Sequence, residues 1–357
     1  MKLFSKTLVA LATSMSLMVA GASSVNAEEK TEFKLAWSIY VGWMPWGWAA
    51  DQGIVDKWAD KYDIEIEVVQ FNDYIESINQ YTAGAFDGVT ATNMDTLAIP
   101  SVGGVDTTAL IVGDFSNGND ALILKGADSL DAVLGQNVNL VELSVSHYLL
   151  ARALETLGKA EKDVAVVNMS DADMIAAYQT DDVTAVVTWN PLVAEILEIP
   201  GANKVFDSSD IPGEIMDLTV VNTETLADNP AFGKALAGAW YETMSIMLSD
   251  TPEGAAARAA MGEASGTDLA GYDMQLASTQ MFATASDAVT FTTSESVTST
   301  MESVRTFLFE RGLLGDGASS PDIVGIAFPD GSVLGDEGNV KFRFNADYMS
   351  MAADGSL

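Results

Sequence analysis

Trp37, Trp43, Trp46 and Trp48 bring four of the chain's seven tryptophans into one short stretch, LAWSIYVGWMPWGWAADQG, residues 35–53. An indole face attracts a cation by about 0.5–2 kcal/mol once water is excluded. Tryptophans gathered in one loop therefore have the chemistry of a cage for a small positive ligand, whereas a core spreads them over its elements. Pro45 suits the first turn of a helix and leaves 38–44 as the loop before it. Trp37 continues the alternation of Phe33 and Leu35, and Trp48 falls on the helix that follows, so both read as core. Tyr40, Trp43 and Trp46 are the candidates for the cage.

Three further stretches place polar groups where a strand gives way to a helix, which is where open α/β sheets bind ligands. TATNMDTLAI offers Asn93 and Asp95, although Thr92 followed by Asp95 three residues on is equally a capping box. LVELSVSHYLL brings out Glu142, with Ser144 and Ser146 placed to cap a helix. His147 is the chain's one histidine, and at a helix start such a residue more often caps or packs. AVVTWNPLVAEI ends a strand at Trp189, followed by Asn190 as a cap and Pro191 as a helix opener. Asp217 stands at a later boundary and would face the same cleft.

Segments 37–48, 92–96, 142–148 and 188–191 contain no lysine or arginine. Anions want arginine, lysine or bare helix N-termini, and these segments offer indoles and carboxylates instead. A carboxylate matches the planar fork of guanidinium, so guanidinium or a small substituted cation is favoured, with Glu142 and Asp95 ahead of Asp217 as its partner. Urea, planar and similar in size but neutral, is the alternative. An anion held by helix N-termini alone stays open.

Positioning such residues takes a sheet. Over 33–115 strand and helix signals alternate: FKLAW, IEIEVVQF, DGVTAT and TTALIVGDF read as strands, DYIESINQYTAG and MDTLAIPSVGG as helices. The turn-forming run SNGND at 116–120 breaks this series, and a second follows with ALILKG, NVNLVEL, VAVVNM and TAVVTW as strands and helices starting near Ser129, His147, Asp171 and Pro191. After LTVVNT the remainder reads as mostly helical. Such an order implies an α/β protein with mainly parallel, doubly wound sheets. Crossings near 116–120 and 217–223 give two lobes, 28–118 with 222–357 and 119–221, hinged about a cleft.

Residues 1–27 read as a cleaved secretory signal, with Lys2 and Lys6, the apolar run LVALATSMSLMVA and a small-residue site ending at Ala27. Removing it takes the formal charge from −34 to −36. A surface so acidic does not suit nucleic acid or anionic lipid. The absence of cysteine excludes disulfides, thiolate metal sites and a lipid-bearing cysteine at the cleavage site. With one histidine and no nucleophile-elbow, zinc-protease or phosphate-loop motif, the reading is binding without catalysis, cofactor or metal, by a monomer exported to the periplasm. A secreted acidic hydrolase built on paired carboxylates, and a sensory receptor, are the competing classes.

LAWSIYVGWMPWGWAADQG, FDGVTATNMDTL, VELSVSHYLLARAL, AVVTWNPL and the C-terminal FERGLLGDGASSPDIVGIAFPDG, in this order, resemble periplasmic solute-binding proteins of the nitrate/taurine/sulfonate class of ABC transporters. Within that class the chain is similar to the branch associated with urea carboxylase and guanidine degradation. The resemblance spans nearly the whole mature chain. It implies a two-lobed venus-flytrap fold of type II and delivery of a small nitrogen compound to a permease of the inner membrane.

Overall fold

The computed structural model describes residues 30–315 and 317–357. The expected signal, 1–27, lies outside the described residues. Within the unit Thr31–Leu357, the strands are β1 (Glu32–Ser38), β2 (Glu65–Phe71), β3 (Gly88–Thr92), β4 (Thr107–Ser116), β5 (Asp120–Lys125), β6 (Asn137–Leu140), β7 (Ala165–Asn168), β8 (Ala185–Trp189), β9 (Ala202–Asp207), β10 (Met216–Asn222), β11 (Thr279–Met281), β12 (Gly325–Ala327), β13 (Val333–Leu334) and β14 (Val340–Phe344). Among the described residues they form two sheets, ordered β13-β12-β14-β4-β10-β3-β1-β2, with β11 on β4, and β7-β6-β8-β5-β9. No helix among the described residues is long and apolar enough to cross a membrane.

The burial pattern follows from sequence. β3 and β5 are buried nearly throughout, as short apolar runs in the middle of a sheet must be, while β2 at an edge alternates exposed Glu65 and Glu67 with buried Ile66. Phe33 of β1 stacks on Phe232 of the helix Pro230–Met247 at 4.5 Å, which fastens that helix to one face of the first sheet. Asp73 caps the helix Tyr74–Thr82 by accepting from the Glu76 N–H at 2.8 Å. The cap fixes Tyr74, the first helical residue, beside the end of β3, where its hydroxyl accepts from the Thr92 N–H.

Three features differ from the sequence expectation. β10 runs antiparallel to both β3 and β4, and β5 runs antiparallel to both β8 and β9, so neither sheet is wholly parallel. Because β10 is central to the first sheet, the chain returns to that sheet within 208–215, ahead of the expected 217–223, and 216–221 do not belong with the second sheet. The expected helix near Ser129 is a single 3-10 turn, and β9 and β11–β14 stand where no strand was expected. β11–β13 are only two or three residues long and β9 lacks clean alternation, so periodicity did not mark them; VKFRF in β14 does alternate and was missed.

Candidate functional site

Two strands running against their neighbours are what build the site. Their N-terminal ends meet the C-terminal ends of the adjacent strands, and charged residues fall there in register. Asp217 on β10 pairs with Thr92 on β3 on one side and with Asp114 on β4 on the other. In the second sheet, Asp120 on β5 pairs with Trp189 on β8. Thr92, Asp217, Asp120 and Trp189 line one cavity between the sheets. Tyr40 and Trp43 from the loop after β1, Tyr74, and Val145 at the start of the helix Val145–Thr156 complete its wall. About 10 Å³ is open to the centre of a water molecule, so the space suits a small, closely fitted ligand.

The electrostatics are unusual. Asp95 and Asp114 are fully buried, and Asp120 and Asp217 are each 3% exposed. The Tyr40 hydroxyl lies 3.0 Å from Asp114 Oδ1 and 2.9 Å from Asp217 Oδ2. A phenol has one proton to donate, so at one of these contacts a carboxyl group must hold the hydrogen. Burial, then repulsion from Asp114 and Asp120, pushes Asp217 well above the carboxylate range. Burial also raises Asp114, against hydrogen bonds from Asp217 and Tyr40. Asp120 is pushed up to about 7 by burial, partly offset by the Ser116 hydroxyl. Asp95, behind the wall, is raised to about 6 by burial despite hydrogen bonds from Tyr74 at 2.6 Å and Thr92 at 2.8 Å. None of the four carboxyl groups has a basic hydrogen-bond or ion-pair partner among the described residues.

Tyr40, Trp43, Tyr74 and Trp189 stand in continuous ring contact, with successive centroids 4.9, 5.4 and 5.7 Å apart. The last contact joins the two sheets. Gly42 lets the acid pair approach this wall, since a Cβ there would stand 2.5 Å from Asp114 Oδ2 and 2.6 Å from the Tyr40 ring. Trp43 Nε1, Asp95 Oδ1 and Asp114 Oδ2 are buried without a hydrogen-bond partner. Buried polar atoms are nearly always paired, and of these three only Trp43 Nε1 belongs to a residue lining the cavity, so its N–H is the candidate for pairing with something bound. The arrangement can hold a small, positively charged, hydrogen-bond-donating ligand between π faces.

The sequence profile of the NMT1-like family matches residues 26–262, well over half of the chain and all four aspartates. The chain belongs to the NMT1-like family. Over 132 residues it is 27% identical to the taurine-binding periplasmic protein of Escherichia coli (strain K12), a match spanning 36% of this chain and only 40% of that relative's length. The alkanesulfonate-binding protein of Xanthomonas axonopodis pv. citri, solved bound to MOPS, superposes with a TM-score of 0.65 at 15% identity over 81% of this chain and 96% of that one. The periplasmic nitrate-binding protein of Synechocystis PCC 6803 superposes with a TM-score of 0.56 at 14% identity, covering 92% and 99%. At such identities the likeness is one of fold, and this NMT1-like chain has the two-lobed periplasmic-binding-protein architecture.

On this NMT1-like scaffold the expected site residues divide. Tyr40, Trp43, Trp189 and Asp217 line the cavity. Asp95 does not line it; the carboxyl group bonds the Thr92 hydroxyl as a cap partner and supports Tyr74 from behind. Trp46 is core, because the helix Met44–Asp51 turns it toward Trp240 at 5.3 Å and its Nε1 donates to Thr219 Oγ1 at 3.1 Å. Asn93 ties the end of β3 to the return crossing, accepting from the Met216 N–H and donating to the Glu214 carbonyl. Glu142 is exposed, since β6 stops at Leu140 and a turn carries the residue into solvent. Ser144 caps the helix Val145–Thr156, and His147 is buried with Nε2 2.8 Å from Glu161. Asn190 accepts from the Ala194 N–H and donates to Ser278, so it too serves as a cap. Asp114, Asp120 and Tyr74 were not expected at the site. An aspartate inside the otherwise apolar run TTALIVGDF was the one legible signal for the first of them.

Proposed function

We propose that this chain is the substrate-binding component of an ABC importer, exported to the periplasm, which encloses a small nitrogen-rich cation between its lobes and delivers it to a membrane permease. Guanidinium, or a small substituted relative of it, is the favoured ligand. The observation that carries this reading is a cavity walled by two tryptophans and two tyrosines, with Asp217 and Asp120 in its lining and no basic partner for either among the described residues. Desolvated carboxylates are costly unless paired, and a bound cation supplies the missing partner while the indole faces add cation–π attraction. The solute-binding titles of the sulfonate, taurine and nitrate relatives support the transport role. Nitrate or a sulfonate group does not suit this lining, where it would meet carboxyl groups and no arginine or lysine.

Urea is the second reading, and Trp43 favours it: its unpaired Nε1–H is a donor in want of an acceptor oxygen, which urea offers and guanidinium lacks. Calorimetry with guanidinium, methylguanidine, urea, nitrate and taurine decides between them. Guanidinium is expected to bind tightest. A preference for urea moves the assignment to a neutral ligand, and tight binding of nitrate or taurine sinks the cation reading.

A further inference from the structure

Asp217 and Asp120 line the same cavity from different sheets. Asp120 is the first residue of β5, immediately after the crossing from β4, and is held in place there. The Ser116 Oγ accepts from the Asp120 N–H at 3.1 Å and lies 2.6 Å from the Ser208 hydroxyl of the return crossing. Both crossings thus meet at the backbone of Asp120. Around it are Asp217 and Asp114 from the first sheet, Tyr40 from the loop after β1, Asp95, and Tyr74. No lysine, arginine or histidine joins them among the described residues, and His147 on the neighbouring helix is engaged with Glu161.

We propose that Asp120 is a charge gate: bringing the second sheet onto the first seats its carboxylate beside Asp217, so at neutral pH the lobes close only over a ligand that is itself positively charged. This rests on the cation reading of the site and adds to it a means of rejecting neutral isosteres. Urea can match guanidinium in shape and in most hydrogen bonds, but it brings no charge to offset two carboxylates drawn into one desolvated space. Asp217 stands on the first sheet and Asp120 on the second, so how near the two groups come is set by how far the sheets close. Discrimination therefore falls on the closing step.

The test is small-angle scattering on the full mature chain at pH 5 and pH 8, without ligand and with guanidinium or urea, for wild type, Asp120→Asn and Glu142→Gln. Glu142→Gln removes the same charge from an exposed turn and controls for the overall acidity. Wild type is expected to be compact at pH 5, expanded at pH 8, and compacted again at pH 8 by guanidinium but not by urea. Asp120→Asn should be compact at both pH values, and its calorimetric preference for guanidinium over urea should fall by at least about tenfold, which is one pKa unit's worth of interaction. Should Asp120→Asn fail to fold, as judged by its melt, Asp120→Ser serves in its place. If wild type shows no pH-dependent expansion, or if Asp120→Asn keeps it as Glu142→Gln does, the gate is refuted. Guanidinium binding that survives such a result leaves the proposed function standing. Conversely, an expansion relieved by Asp120→Asn in a protein that ignores guanidinium leaves the gate and removes the ligand.

Discussion

The boundary between the two sheets is acidic in two places, and the two are neutralised in opposite ways. At the seam between the helices Val145–Thr156 and Glu295–Glu310, every acid that bridges has its cation in the chain. Glu161 receives His147 Nε2 at 2.8 Å and Arg311 Nη1 at 3.0 Å, and Glu214 receives Arg152 Nε at 2.9 Å and Nη2 at 3.0 Å. Phe307 packs edge-on against both His147 and Tyr148 between these pairs. At the cavity, Asp114, Asp120 and Asp217 are more deeply buried than any of the seam's acids and have only a phenol and a hydroxyl to share. The seam is a finished piece of structure. On the proposed reading, the cavity has the same chemistry with its positive half supplied by the ligand.

The contrast is broken most directly at Asp217. Truncating one member of a buried charge pair typically costs about 3–5 kcal/mol, so Asp217→Asn should lower guanidinium affinity by two orders of magnitude or more in calorimetry and change urea affinity much less. An equal loss for both ligands would make Asp217 structural, like the seam. Trp43 and Trp46, three residues apart, sharpen the point. Trp46→Ala should lower stability by about 3–5 kcal/mol in a denaturant melt, as removal of a core aromatic does. Trp43→Ala should cost more than about tenfold in affinity while stability changes less. Exchange of those two phenotypes would move the cage into the core.

Titration gives the next largest effect. Asp120 is raised from 3.8 to about 7, and burial with repulsion from Asp114 and Asp120 raises Asp217 well above the ordinary carboxylate value. Their protonated fraction therefore grows as pH falls through neutrality, and a cation must displace a proton to bind. Guanidinium affinity should be greatest above about pH 7 and fall by up to about tenfold per pH unit below it, with proton release visible as a dependence of the calorimetric heat on buffer. Urea affinity should stay nearly flat, and a flat guanidinium profile would mean that the carboxyl groups are ionised throughout. The smallest effect belongs to the seam. Arg311 and Glu161 are 26% and 28% exposed, so Arg311→Ala should change stability by about 1 kcal/mol or less in the same melts. A loss comparable to that at Asp217 would show that the two places do not differ after all.

The two α/β series and most strands of 33–222 were legible because buried strands here are apolar runs bounded by turn residues, as in TTALIVGDF and ALILKG. Much of the cavity's aromatic wall was legible too: Tyr40 and Trp43 were read from the clustered loop and Trp189 from the end of a strand. The acidic half was mostly hidden. Asp120 sits in SNGND and looks like a turn residue, and only the antiparallel course of β5 turns it toward Trp189. Asp114 meets Asp217 through a register that joins positions a hundred residues apart. Glu142 seemed the better partner for a cation because it follows an apolar strand, yet the turn after Leu140 releases it to solvent. Strand direction and register decide such cases, and neither is written locally in the chain.

Asp114 lies two residues before Ser116, Asp120 opens the strand after the crossing, and Asp217 is the second residue of the strand that completes the return. The acids thus sit almost on the pivot, while the Ser170–Asp73 and Arg311–Glu161 contacts lie out along the arms. A lever loaded at its fulcrum converts a small displacement there into a long sweep at the tips. If the lobes turn about these crossings, a small movement of the carboxyl groups around a bound ligand becomes a much larger travel at the rims.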